Sequence, residues 1–234
     1  FDCYGTLIDW EQGLLTVLLP WATRAGILSP THTPDARVAL AERLLETFAK
    51  AEAAREREPF REYPDVLRLV MLDIAEAFGA PATPADADAL ASSVGDWPPF
   101  SDSRDALAVL KNRFRVVVAS NVDHVSLART QTLLAVEFDA VITAQDVRSY
   151  KPAPGHFDAI ERTIRSWGLP RESWVHVAQS LFHDIAPASS RGVRTVWVDR
   201  RAGRAGGATS PPPPGVRPDL VVPDLRSLAL ASGA

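Results

Sequence analysis

A carboxylate stands almost at the start of this chain, in Phe1-Asp2-Cys3-Tyr4-Gly5-Thr6-Leu7, where a strand end gives way to a turn that Gly5 permits. An aspartate so placed is a candidate nucleophile, because a carboxylate that bonds to substrate splits one hard displacement by water into two easier steps through a covalent ester. Beside a glycine an aspartate is also a common turn former. The company Asp2 keeps decides for chemistry. Lys151, in Ser149-Tyr150-Lys151-Pro152, could hold the carboxylate ionised and aim it, although the commonest place for lysine is solvated surface. Ser120-Asn121 ends the buried-looking run Val116-Val117-Val118, so this polar pair must find partners unless it marks only the change from strand to loop. Asp184 follows Val177-Ala178-Gln179-Ser180-Leu181-Phe182-His183 near a helix start, where an acid also complements the helix dipole. Around it, Phe182 could line an apolar pocket and Gln179 could hydrogen-bond the nucleophile loop. His183 ranks second, since a lone histidine beside an aromatic more often packs than titrates.

The elements that must position these residues fall into two blocks. From residue 103 onward, short β-branched runs alternate with amphipathic helices, the pattern of an α/β fold with a Rossmann-like, doubly wound parallel sheet covered on both faces. Strands are expected over residues 115–119, 140–143, 174–178, 194–198 and 220–222, and helices over 102–112, 123–134, 155–167 and 181–191. Asp123 is placed to cap its helix. Such folds put their sites at the carboxyl ends of the strands, which is where Asp2, Ser120 and Gln179 would sit. Residues 12–97 instead read as helices broken at Gly26, Pro30, Pro59, Gly79, Pro81 and Pro84. Leu40, Leu44, Leu45 and Phe48 mark one helical face, and Val66, Leu67, Val70, Met71, Ile74, Ala77 and Phe78 another. This block reads as an all-helical cap inserted into a core of residues 1–11 and 98–234. Residues 200–218, rich in glycine and proline, read as a long connector.

Composition fits an ordinary globular protein: 234 residues, 46% hydrophobic, formal charge −4. No basic stripe offers itself to nucleic acid, so a small anionic substrate would need a local basic group. No apolar run approaches the ~20 residues of a membrane span and the start lacks a signal-peptide form, so the default expectation is cytoplasmic, with no membrane partner. The single cysteine, Cys3, has no partner for an internal disulfide. Because the chain starts one residue ahead of Asp2, most of the strand expected to carry it is missing, which reads as a fragment or an incomplete record.

Four segments in this order and spacing, Asp2-Cys3-Tyr4-Gly5-Thr6-Leu7, Ser120-Asn121, Lys151-Pro152 and the run ending in Asp184, resemble the four motifs of the haloacid dehalogenase superfamily, and within it the L-2-haloacid dehalogenases. The resemblance implies that Asp2 attacks substrate, Lys151 and Ser120 orient the participants, Asn121 frames the leaving-group pocket, Thr6 serves the anion site and Asp184 positions the hydrolytic water. It also makes Tyr4 informative. Phosphatases of the superfamily carry a second aspartate there as general acid and bind magnesium through the nucleophile and fourth-motif acids. Here Tyr4 and Gln179 replace two of those acids, so a metal-independent hydrolase releasing halide from a small 2-haloacid is expected. A magnesium-dependent phosphatase and a non-catalytic protein of the same fold are the alternatives. Related dehalogenases hold halide with a cap arginine, for which Arg37 and Arg43 are the candidates. Phe157 stands where those enzymes tend to have tyrosine, and Leu181 replaces a polar residue. The resemblance further implies a possible homodimer through cap helices.

Overall fold

Helices come first. In the computed structural model, which describes residues 1–201 and 214–233, α1 (Trp10–Arg24), α2 (Pro34–Arg55), α3 (Tyr63–Ala77) and α4 (Pro84–Ser93) follow one another with no strand between them. Their starts are set locally. Asp9 accepts from the Gln12 amide and Thr33 from the Ala36 amide, while Thr83 and Asp86 satisfy each other's backbone in a capping box. Leu44, Leu45 and Phe48 of α2 and Val66, Leu67, Val70, Met71 and Ile74 of α3 are buried, as their spacing predicts. Ala77 is exposed and Ala75 takes the inward place. Arg55 grips Asp73 with two parallel hydrogen bonds of 2.7 and 2.6 Å, fastening α2 to α3. Gly13 is required within α1 by close packing, since a Cβ there would lie 2.2 Å from Cγ of Trp97.

The remainder alternates as expected: α5 (Ser103–Lys111), β1 (Val117–Ser120), α6 (His124–Leu134), β2 (Ala140–Thr143), α7 (Ala144–Val147), α8 (Gly155–Ser166), β3 (Val175–Ala178), α9 (Ala186–Ser190), β4 (Arg194–Val198), β5 (Leu220–Val222) and α10 (Leu225–Ala231). β1 pairs in parallel with β2, β3 with β4, and β4 with β5. The first two residues join these ladders. The Phe1 nitrogen donates to Val117 O, Ala119 N–H donates to Phe1 O, and Asp2 N–H donates to Val177 O. The order is therefore β2, β1, the Phe1-Asp2 segment, β3, β4, β5, with Asp2, Ser120 and Ala178 ending neighbouring tracks.

Two expectations shift. β1 begins at Val117 because the Val116 amide is taken by the Asp139 carboxylate at 2.6 Å. The helix expected over residues 181–191 is divided into a π turn, Leu181–Ile185, and α9. Pro187 has no amide to return to the preceding turn, which favours such a break. Asp123 caps α6 as read, accepting from the Ser126 amide at 2.9 Å. Of the connector expected over residues 200–218, residues 202–213 lie outside the described part.

One apolar cluster runs from Cys3, Leu7 and Ile8 through Leu14, Trp21, Phe48 and Met71 to Leu107, Val118, Val177 and Leu225, so helical block and sheet share a core. On the other face of the sheet Ala119, Ile142, Phe157, Ile160 and Trp174 form a second cluster beneath α8. Val118 and Ala119 point into different clusters, as alternation along a strand requires. The helical block joins the core through two chain crossings that pair with each other: Asp9 N–H donates to Pro98 O, Phe100 N–H to Leu7 O, and Ile8 bridges Pro99 antiparallel. Among the described residues no helix is long and apolar enough to cross a membrane.

Candidate active site

The turn after Asp2 is built to fold back on it. Gly5 has φ +92°, a backbone that side chains disfavour, and Cys3 O collects the amides of Thr6, Leu7 and Ile8. Thr6 is thereby brought under Asp2. Its hydroxyl donates to Asp2 Oδ2 at 2.6 Å and accepts from the Gln179 amide at 2.9 Å. From behind, the Arg200 guanidinium holds Thr6 O at 2.8 and 3.1 Å while pairing with Asp102.

Lys151 is 3% exposed, and its ammonium donates to Asp2 Oδ1 at 2.7 Å, Asp184 Oδ1 at 2.8 Å and Ala119 O at 3.0 Å. All three of its protons are used. Asn121 sets the loop: its Oδ1 accepts from Lys151 N–H at 2.7 Å and its Nδ2 donates to Lys151 O at 3.2 Å. Asp184, on the π turn, also pairs with His176 Nε2 of β3 at 2.9 Å. Burial alone would push the Asp184 carboxyl up, but the Lys151 ammonium and the bonds from His176 and Lys151 hold it well below the usual carboxylate range. Burial would lower Lys151, and the two carboxylates hold it raised. Burial keeps His176 and His183 lowered.

Above this cluster lies a cavity of about 90 Å³ lined by Asp2, Ser120, Lys151 and Asp184, with Tyr4, Asn121, Gln179 and His183 beside them. It is smaller than the roughly 150 Å³ cavity that admits benzene in another protein, so a substrate of a few heavy atoms is the right scale. The Tyr4 hydroxyl is turned to Thr130 Oγ1 at 2.7 Å, and its ring meets Trp97 edge-on.

Five residues singled out in the sequence fall elsewhere. Thr6 is fully buried and both functions of its hydroxyl are committed, so it supports Asp2 and Gln179 and does not line the cavity. Phe182 packs edge-on against His183, away from the cavity lining. Arg37 is exposed, and Arg43 lies over the Phe78 ring, 4.4 Å from its centre; neither reaches the cavity. Phe157 lies in the second apolar cluster, with His176 beside it. Residues not foreseen do line the cavity: Glu52 and Glu56 at the end of α2, with Tyr63, Trp10 and Trp97.

Residues 1–190 match the sequence model of the haloacid dehalogenase-like hydrolases. The chain belongs to that family. Among relatives of this hydrolase, a phosphoserine phosphatase of Thermus thermophilus is 29% identical over 177 residues, 74% of this chain and 65% of that protein. The chain thus spans less than two thirds of that relative. Among solved structures, the L-2-haloacid dehalogenase of Xanthobacter autotrophicus superposes with a TM-score of 0.78 at 19% identity, covering 100% of this chain and 97% of that one. YfnB of Bacillus subtilis, a hydrolase of the same superfamily bound to magnesium, superposes with a TM-score of 0.76 at 15% identity, with coverage of 100% and 97%. At such identities the superpositions establish the fold of this hydrolase and leave its substrate to the residues of the cavity.

Proposed function

We propose that this hydrolase cleaves a carbon–heteroatom bond of a small molecule through a covalent ester on Asp2, of the kind that releases halide from a 2-haloacid, without a metal. The observation that carries the reading is the Lys151 ammonium bridging Asp2 and Asp184 on the cavity floor. An ionised, aimed carboxylate attacks the carbon opposite the leaving group, the carbon–heteroatom bond breaks with its electron pair, and the substrate becomes esterified to Asp2 with inversion. Water then attacks the ester carbonyl carbon. Its oxygen stays on Asp2, the alcohol departs and one proton is released. Asp184, kept ionised, suits the task of accepting a hydrogen bond from that water, and Lys151 offers charge to the oxygen that becomes negative in this step.

The absence of an acid at position 4 supports a leaving group that needs no proton, since burial raises the Tyr4 hydroxyl well above its ordinary range and Thr130 engages it. A magnesium ion seeks about six oxygens in an octahedron, whereas Asp2 and Asp184 each give one oxygen to Lys151, with Thr6 on the other Asp2 oxygen and His176 on Asp184. These residues do not fit that ion. The rival, a magnesium-dependent phosphatase, draws on the Thermus relative and on Tyr4 being its sole obstacle at the first motif; phosphate release abolished by a chelator would establish it. The test is a single turnover in heavy-oxygen water with small chlorinated compounds and phosphate esters. Halide release with label in the peptide containing Asp2 is expected, and a folded protein that gives neither would overturn the proposal.

A further inference from the structure

The cavity lining is rich in acids. Among the described residues its lining contributes the carboxyls of Asp2, Glu52, Glu56 and Asp184 against the single ammonium of Lys151, and no arginine. Lys151 has no proton left to offer a ligand. Glu52 and Glu56 stand four residues apart at the end of α2 and so share a face. Glu52 Oε1 accepts from the Tyr63 hydroxyl at 2.5 Å and Glu56 Oε1 from Asn121 Nδ2 at 3.3 Å, and among the described residues neither carboxyl has an ion-pair partner. Enclosure by protein pushes Glu52 up to about 7, and enclosure together with the neighbouring Glu52 raises Glu56. An ionised carboxyl enclosed in this way without a cation is costly, so the group keeps its proton until a ligand that supplies positive charge or N–H and O–H donors relieves the cost.

Two further features point the same way. Tyr4, Trp10, Tyr63 and Trp97 surround the same space, and aromatic faces attract cationic nitrogen. Ser120 lines the floor at 1% exposure, and its hydroxyl has no hydrogen-bond partner among the described residues, which leaves it for a ligand. A 2-haloacid carboxylate, by contrast, would enter beside two acids with no free cation among the described residues to receive it.

We propose that Glu52 and Glu56 select a small, non-anionic substrate whose N–H or O–H donors, those of an amide or an ammonium group, meet their carboxyl oxygens. This rests on the ester-forming role of Asp2 and names the substrate class for that reaction. The decisive pair is 2-chloropropionamide and 2-chloropropionate, which have nearly the same shape and differ in donors and charge. Wild-type kcat/KM for halide release is expected to favour the amide by roughly tenfold or more, the scale on which sites built for hydrogen-bonded groups reject analogues without them. In the Glu52→Gln/Glu56→Gln double variant and in Glu56→Gln alone the ratio should fall toward unity. Preference for the acid, or a ratio that these variants leave unchanged, would overturn the assignment.

A second measurement separates this inference from the reaction itself. In Asp2→Asn, which cannot form the ester, binding of unreactive propionamide and propionate is compared by calorimetry. Tighter amide binding that Glu56→Gln weakens supports the acid-pair site even where neither chloride turns over. Equal or tighter propionate binding overturns it even where halide is released and Asp2 is labelled.

Discussion

Replacing Lys151 with methionine removes the ammonium while nearly conserving side-chain volume. Two buried carboxylates, 6% and 1% exposed, are then left facing each other where Nζ had stood 2.7 and 2.8 Å from their oxygens. At a separation of about 5 Å and an effective dielectric of about 20, their repulsion is roughly 3 kcal/mol, which lifts one of the two acids by about two pKa units. Removing one partner of a buried pair costs about 3–5 kcal/mol by comparison with other proteins, so the two routes agree. Urea unfolding near neutral pH should show a loss of about 3 kcal/mol. The sign of its pH dependence follows from the raised acid, which binds a proton more tightly folded than unfolded. Below the unfolded carboxylate range both states are protonated and the repulsion is gone; as pH rises through the folded value the deficit appears. In the wild type Asp184 is lowered, and its contribution is present above the ordinary carboxylate range and lost on strong acidification. Labelling of Asp2 in single turnover should slow by about 100-fold, the rate equivalent of roughly 3 kcal/mol. A Lys151→Met protein within about 1 kcal/mol of wild type, with a pH-independent difference, would refute the electrostatic account of the floor.

Thr6→Val keeps the shape of the side chain but leaves Asp2 without its 2.6 Å donor and the Gln179 amide without its acceptor; about 1–3 kcal/mol of stability should be lost, with kcat reduced more than KM is raised. His156 is fully buried against Ser120 O, and burial, aided by Lys151, lowers it from 6.5 to about 4. The unfolded chain takes up that proton first, so stability should fall by up to roughly 3 kcal/mol as pH drops through this window, and titrated urea midpoints of His156→Asn should lack that component. Gly13→Ala would drive a methyl to within 2.2 Å of the Trp97 ring, and thermal denaturation should show a loss of about 1–3 kcal/mol from overpacking, accompanied by a change in tryptophan fluorescence.

The floor of the site was legible because its parts are tied to strand ends. Asp2, Ser120, Lys151 and Asp184 each follow an apolar run or a turn that fixes where the side chain emerges, and they meet within hydrogen-bond or cavity contact. The roof was not legible. Glu52 and Glu56 sit in Ala-Glu-Ala-Ala-Arg-Glu, which locally reads as a solvated helix end, and only the docking of α2 over the core turns that face inward. Their spacing of four was the available signal. Arg37 and Arg43 failed for the same reason in reverse, since their faces of α2 point to solvent and to Phe78. His176 could have been noticed, because a histidine between Val175 and Val177 on a buried strand must find an acceptor, and it finds Asp184. The broken helix after β3 follows from Pro187, whose effect depends on how the preceding turn closes.

The same short loop that presents the ammonium is also tied to the helical block. Asn121 holds the Lys151 backbone with both ends of its amide and also donates from Nδ2 to Glu56, while the neighbouring Tyr150 hydroxyl donates to Arg61 O at 2.9 Å. Any parting of the helices from the sheet would therefore pull on the loop that carries Lys151. The footing of the proposed nucleophile's ionic partner and the seating of helices on sheet are thus one mechanical unit, so a substitution that loosens either is expected to disturb both.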